Sequence, residues 1–282
     1  MTAEVPARAV PGTRGTDTER ADTGRKRDGS RSSLVADVLG EVIAARARQT
    51  GRAALDVVDV GAGTGGLAVS IARGGHRVTV VDPSPDALAA ARWRAAEAGV
   101  ALTEVQGEAG DLAALVGDDA ADLVICHSVL EYVDSPSAAL AAIARVLRPG
   151  GTVSVLAANT VAAVLQRALA GRYAEARAML PGAACGAPAA APDGAPGAPA
   201  GTAAARRFTL PELTALIEGA GLRAGDAHGI RIFSSLLHSA SDHGAAADPA
   251  AAEALRELEE AAATCPPLRD IATRLHLLAY RA

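Results

Sequence analysis

An aspartate and three glycines alternate along DVGAGTG, so that Asp59, Gly61, Gly63 and Gly65 stand at every second position. The next apolar run, HRVTVVD, closes on Asp82. Glycines at a sharp turn let the backbone approach a ligand closely, where side chains would obstruct it. A carboxylate at the tip of the following strand can accept hydrogen bonds from two ribose hydroxyls. Two nucleotide-like ligands meet these needs: a dinucleotide, because GAGTGG fits G-x-G-x-x-G, and S-adenosylmethionine (SAM). The acid before the glycines favours SAM. A carboxylate at Asp59 suits the cationic amino-acid end of SAM and repels a pyrophosphate.

Other groups are placed to serve the same site. GEAGD follows the third apolar run, where backbone and Asp111 are expected to face an adenine. The fourth run leads into CHSVLEYV and so ends in polar residues, with Glu131 and Tyr132 expected to line an acceptor cleft or to cap a helix end. Arg231 in GIRIF, Arg206, Arg207, Tyr173 and His276 are the candidate groups for orienting an acceptor, Arg231 foremost because arginine grips a carboxylate bidentately. For His276, at alternating strand spacing, core packing is an equal alternative. The lone Trp93 is expected to pack. No metal-ligand spacing and no base dyad is visible; Cys126, Cys185 and Cys265 are far apart and read as reduced structural thiols.

These residues need a scaffold that brings strand ends together. Apolar runs and helical patterns alternate from residue 54 onward: ALDVVDV, a helix over 65–73, HRVTVVD, a helix capped by Ser84 and ended by Gly99, VALTEVQG, ADLVICHS, a helix stopped at Pro149-Gly150, and TVSVLAAN. The alternation predicts a three-layer, doubly wound, mostly parallel α/β sheet. A helix is expected over 32–49 ahead of it. Residues 1–30, polar and without hydrophobic period, read as a disordered tail, and 31–282 as one domain. After Asn159 come one or two helices, then the Pro/Gly/Ala-rich run PGAACGAPAAAPDGAPGAPAG, together an insertion over about 160–207. A helix from Thr209, a strand and turn in LRAGDAHGIRIFSSLL, a helix in DPAAAEALRELEEAAAT and a last strand in RLHLLAYRA complete the pattern.

Bulk composition narrows the function. Aromatics are 2 % of the chain, too few for a base-stacking platform, and a net charge of −5 gives no global attraction to nucleic acid or anionic membrane. The N-terminus lacks the apolar core of a signal peptide, and the uncharged run 150–166 is too short and too polar to span a bilayer. A cytoplasmic protein with no membrane contact is expected; oligomeric state is not encoded in any pattern here.

LRPGG before a strand is a habit of class I SAM methyltransferases. Together with ICHSVLEYVDSP, LRPGGTVSVLAAN, ALAGRY, GIRIF and the stretch from ALRELEE to the C-terminus, the chain resembles the bacterial tRNA 5-carboxymethoxyuridine methyltransferases from about Arg31 onward. The resemblance implies a seven-stranded methyltransferase sheet, SAM as methyl donor, tRNA as partner, and transfer to the carboxylate of a modified wobble uridine. It also implies SAM contacts at Arg31, Gly61, Gly63, Asp82, the backbone of Ala109 and Gly110, and His127. Two features depart from the family. Its lysine-rich inserted loop is replaced by a run nearly uncharged until Arg206 and Arg207, which leaves fewer contacts for tRNA phosphates, and Ala62 stands where the family often has glycine. The alternatives are a methyltransferase for a small-molecule carboxylate, hydroxyl or amine, and a SAM-binding regulator without turnover.

Overall fold

The computed structural model describes residues 29–180, 206–237 and 249–282. Most of the expected tail and all of the Pro/Gly/Ala-rich run, with Cys185, lie outside them. In chain order the elements are α1 (Gly29–Thr50), β1 (Asp56–Val60), α2 (Gly66–Arg73), β2 (Arg77–Asp82), α3 (Pro85–Glu97), β3 (Thr103–Gln106), α4 (Leu112–Val116), β4 (Ala121–His127), α5 (Pro136–Val146) and β5 (Leu147–Ala158). They continue with α6 (Thr160–Leu169), α7 (Tyr173–Ala178), α8 (Leu210–Gly219), β6 (Arg223–Ile230), α9 (Ser234–Leu237), α10 (Pro249–Ala263), α11 (Pro266–Arg269) and β7 (Arg274–Tyr280).

The seven strands form one sheet in the order β3-β2-β1-β4-β5-β7-β6, parallel except for β7, which runs against both neighbours. The expected doubly wound sheet is therefore present. Central strands such as β1 are buried on both faces, which is why they are rich in valine. One face is covered by α5 and α8, with Leu140, Ile143, Leu213 and Ile217 fully buried. The other is covered by α1, α2 and α3 through Val35, Leu39, Ile71 and Leu88. The strand order reverses between β1 and β4, so the loops after these two strands part and leave a crevice at the carboxyl ends.

Local sequence sets several element ends as expected. Ser84 Oγ accepts from Ala87 N at 3.3 Å at the start of α3, and Thr209 forms a reciprocal capping box with Glu212 at α8. Asn159 caps α6 through Val161 N (2.9 Å) and donates to the carbonyls of Asp270 and Ala272, tying the end of β5 to the entry of β7. Two expectations change. α1 starts at Gly29, ahead of the expected 32. LRPGG does not end the helix: α5 stops at Val146, and Leu147 already pairs with Ala121, because its side chain is buried in the core.

At the opposite, amino end of the sheet, Asp122 is buried under a set of arginines. It accepts from Arg52 (2.8 Å), Arg148 (2.9 Å), Arg46 (3.4 Å) and the backbone N of Asp56 (3.0 Å). Burial alone would raise the neighbouring Asp56 carboxyl, but hydrogen bonds from Arg77, Arg52 and Arg148 outweigh it and hold it well below the usual carboxylate range. The cluster joins α1, β1, β4 and β5.

Candidate functional site

The glycine loop leaves β1 with its backbone in left-handed conformations: φ is +64° at Gly61, +53° at Gly63 and +71° at Gly65. The three glycines serve different needs. A Cβ on Gly61 would lie 2.5 Å from Val129 Cγ2, and one on Gly65 only 2.7 Å from Ala91 Cβ of α3. At Gly63 a Cβ would meet nothing within 4 Å. Gly63 thus leaves open room at the crevice, whereas Gly65 lets α3 approach the loop.

Asp82 at the tip of β2 holds this loop. Its carboxylate accepts from Gly63 N (3.0 Å) and Ser84 N (2.9 Å) and is 7 % exposed. A cavity of about 350 Å³ opens beside it, walled by Gly61, Asp82, Glu108, Ala109, Val129 and Tyr132. On the other side of the loop lies a second cavity of about 570 Å³, with Ala62, Thr64, Gly66, Ser70, Arg94 and His127 among its walls. A ligand crossing the loop would place one end in each. The carboxylates of Asp82 and Glu108 on the first wall repel phosphates and suit a cation.

Asp59 adds to this field. It is 4 % exposed, and burial, followed by the charge of Asp82, pushes its carboxyl up to about 7. The free protein therefore holds a proton on Asp59 below about pH 7 and loses it above. An ammonium group on the bound ligand favours the ionised form. Binding of S-adenosylhomocysteine (SAH) should then release a proton at about pH 6, with affinity rising up to about pH 7 and levelling beyond it. Calorimetry in two buffers of different ionisation heat reads this directly. The Asp59→Asn variant should bind without proton release; a native protein that releases none contradicts the assignment.

Other expected SAM contacts divide. Ala109 is buried on the first wall; Gly110 and Asp111 are exposed and outside it, and Glu108 is the acid that faces the cavity. His127 lines the second cavity, its Nε2 2.8 Å from Ser154 Oγ. Arg31 falls within α1, and its side chain lies outside the described residues.

The substrate candidates are brought together less fully. Arg231 lines a third cavity of about 330 Å³ with Ala158, Gln166, Ser235, Thr273 and Arg274. Tyr132 stands at the mouth of the first cavity, 75 % exposed. Tyr173 on α7 is 72 % exposed and lines none of these cavities. Arg206 donates to the carbonyls of Val133 and Asp134, tying residue 206 to the loop after β4. Trp93, expected to pack, is 63 % exposed on α3.

Glu131 and His276 both lie in the interior, which for His276 is the core-packing alternative. Glu131, expected at the cleft or at a helix end, is 4 % exposed; it accepts from Ala158 N (2.9 Å) and pairs with Arg274 (3.5 Å), so it braces β5 against β7. His276 is fully buried, because Leu156 of β5 stands in register with both His127 and His276 and carries their row into the sheet. Its Nε2 is 2.8 Å from Ser154 Oγ. Burial, then the neighbouring His228, push it down to about 3, so it stays neutral and meets no acceptor.

Sequence reasoning missed Arg274, Gln166 and Glu108. Arg274 of the third cavity donates to Ser128 Oγ at 2.6 Å, and Ser128 lines the first cavity, so one hydrogen bond joins the walls of the two. No group of three His, Cys, Asp or Glu among the described residues could hold a metal ion. Cys126 is buried, and burial, with the charges of Glu131 and Asp59, pushes its thiol up, away from the nucleophilic thiolate. No helix among the described residues is long and apolar enough to cross a membrane.

Residues 58–155 match the model of the methyltransferase domain. Over 103 residues the chain is 40 % identical to a ubiquinone biosynthesis O-methyltransferase of Aeromonas salmonicida (strain A449), covering 36 % of this chain and 43 % of that one. Over 175 residues it is 33 % identical to a protein of the same name from Xanthomonas euvesicatoria pv. vesicatoria (strain 85-10), covering 62 % and 65 %. The chain thus spans less than two thirds of the length of these curated relatives. Among solved structures, magnesium protoporphyrin IX methyltransferase from Synechocystis PCC 6803, with bound SAH, shares the fold at a TM-score of 0.53 and 14 % identity, covering 97 % of this chain and 90 % of that one.

Proposed function

We propose that this chain, a class I SAM-dependent methyltransferase domain by its fold and by its match over residues 58–155, transfers a methyl group to an oxygen of a small acidic molecule. The observation that carries this reading is the pairing of an acid-walled nucleotide trough with an arginine-lined cavity, joined by the hydrogen bond from Arg274 to Ser128. The curated relatives, named for O-methyl transfer in ubiquinone biosynthesis, support a small-molecule oxygen acceptor.

SAM supplies a methyl group on a sulfonium, and its thioether product leaves neutral. The chain's task is alignment, which can lower a barrier by as much as ~7–11 kcal/mol. Asp82 takes the ribose hydroxyls, Asp59 and its neighbourhood the ammonium, and the Gly63 backbone the approach between them. Arg231 and Arg274 orient an anionic acceptor. A carboxylate acceptor, with a pKa near ~4, needs no base because it is ionised at neutral pH. For a hydroxyl acceptor, His127 is the imidazole beside the trough.

A second reading, methyl transfer to the carboxylate of a 5-carboxymethoxyuridine-type wobble base in tRNA, draws support from the same two arginines and from the sequence resemblance. The few basic residues of the inserted run tell against it. The two readings separate in one comparison. Purified protein is supplied with SAM and either 3,4-dihydroxybenzoate or bulk tRNA, and wobble nucleosides of a deletion strain are analysed by mass spectrometry. The small-molecule reading expects a methylated benzoate and an unchanged methyl-ester nucleoside. Loss of that nucleoside in the deletion strain moves the assignment to tRNA.

Arg231→Ala should raise the acceptor KM by about 10- to 100-fold, the worth of a charge-assisted hydrogen-bond pair, with SAH affinity unchanged. An unchanged KM removes Arg231 from the acceptor site.

A further inference from the structure

We propose that Glu259 is a positioning residue for the acceptor: by gripping the backbone just beyond Arg231, it holds that arginine against the third cavity. The inference rests on the reading that Arg231 meets the acceptor.

Three consecutive backbone amides converge on this one carboxylate. Ile232 N donates to Oε2 at 2.7 Å, and Phe233 N and Ser234 N donate to Oε1 at 3.0 and 2.7 Å. Glu259 is 8 % exposed, and Ile232 beside it is fully buried in a small cluster with Ala262 and Ala272. The carboxylate comes from α10, far along the chain, so the grip is tertiary. Its neighbour Arg256 is bound instead to Glu253 and Glu260, which leaves the Glu259 oxygens to the amides.

The turn needs such a grip. Arg231 has φ +62°, the left-handed region that a side chain with a Cβ disfavours. A conformation of this kind persists only where its surroundings over-determine it. The carbonyl of Arg231 is held from the other side by Thr273 N (3.3 Å), Thr273 Oγ1 (3.2 Å) and Ser235 Oγ (3.2 Å). Bonds on both sides of one strained residue fix where its side chain leaves the backbone. Without the carboxylate, three amides in a poorly hydrated turn lose their acceptor, and the turn must rearrange to find others. Arg231 beside it then loses its place in the cavity lining that it shares with Arg274.

The test uses the full chain loaded with SAH, with 3,4-dihydroxybenzoate as the probe in calorimetry and hydrogen exchange read at the amides of residues 232–234. Arg231→Ala and Glu259→Ala should each weaken the probe by about 10-fold or more, and the double variant should be no weaker than either single one. Glu259→Gln, which retains one carbonyl acceptor, should recover part of the loss. SAH affinity should stay within about 2-fold, and the three amides should exchange faster in Glu259→Ala. If Glu259→Ala binds the probe as the native chain does while Arg231→Ala does not, positioning by Glu259 is overturned and the acceptor reading survives. If Glu259→Ala loses SAH in parallel with the probe, its role is general folding and the proposal fails. A native chain that ignores the probe removes the acceptor reading and this proposal with it.

Discussion

Asp82→Ala is expected to weaken SAH binding by about 100-fold or more while the protein stays folded. Asp82 has two tasks in one carboxylate. It accepts from the amides of Gly63 and Ser84, which fixes the loop between the two cavities, and it faces the first cavity where a ribose would lie. Its removal leaves both amides without their acceptor and takes away the ribose contact. Two hydrogen bonds to a charged group at about 1.5 kcal/mol each amount to ~3 kcal/mol, which is about 100-fold in affinity. The fold should survive because Asp82 sits at a strand tip, outside the apolar clusters. Asp82→Asn, which keeps one acceptor, should lose less. Calorimetry with SAH decides the matter, together with a thermal melt to show that the variant is folded. Micromolar SAH affinity in a folded Asp82→Ala protein would refute the ribose assignment.

The largest stability effect should lie at the other end of the sheet. Asp122→Ala is expected to cost about 3 kcal/mol of unfolding free energy, at the lower end of what breaking a buried ion pair costs. The Asp122 side chain is fully buried, but Arg52 and Arg148 are about a third exposed, so water takes over part of their solvation when the partner goes. Asp56 cannot replace it, being already engaged with Arg77, Arg52 and Arg148. Denaturant unfolding should show a lower midpoint with an unchanged slope. SAH affinity of the folded fraction should not move, since the cluster lies at the amino end of the strands and the cavities at the carboxyl end. A midpoint equal to that of the native chain would show that the arginines are solvated independently of Asp122.

Part of this molecule is local, and that part was readable. The helix from Pro85 announces itself through Ser84 and Gly99, and α8 through Thr209, because an N-cap bonds a backbone amide only three residues on. Alternation of apolar runs and helical periods indicated the doubly wound sheet, since a strand buried on both faces is built mostly of apolar side chains. LRPGG misled, because a Pro-Gly pair signals an end of helix but not how early the core claims Leu147.

The site divides along the same line. The proposed donor trough is legible in the residue types of the glycine loop, with Asp59 before it and Asp82 at the next strand tip, because backbone freedom and charge belong to the residues themselves. The third cavity was decided by tertiary structure. Arg231, Gln166, Arg274 and Glu259 come from separate elements, and only the antiparallel return of β7 between β5 and β6 brings them to one end of the sheet. The same strand pairing decided between the two readings of His276 and buried it, because its fate depends on what lies across the ladder, a neighbour that spacing along the chain does not reveal.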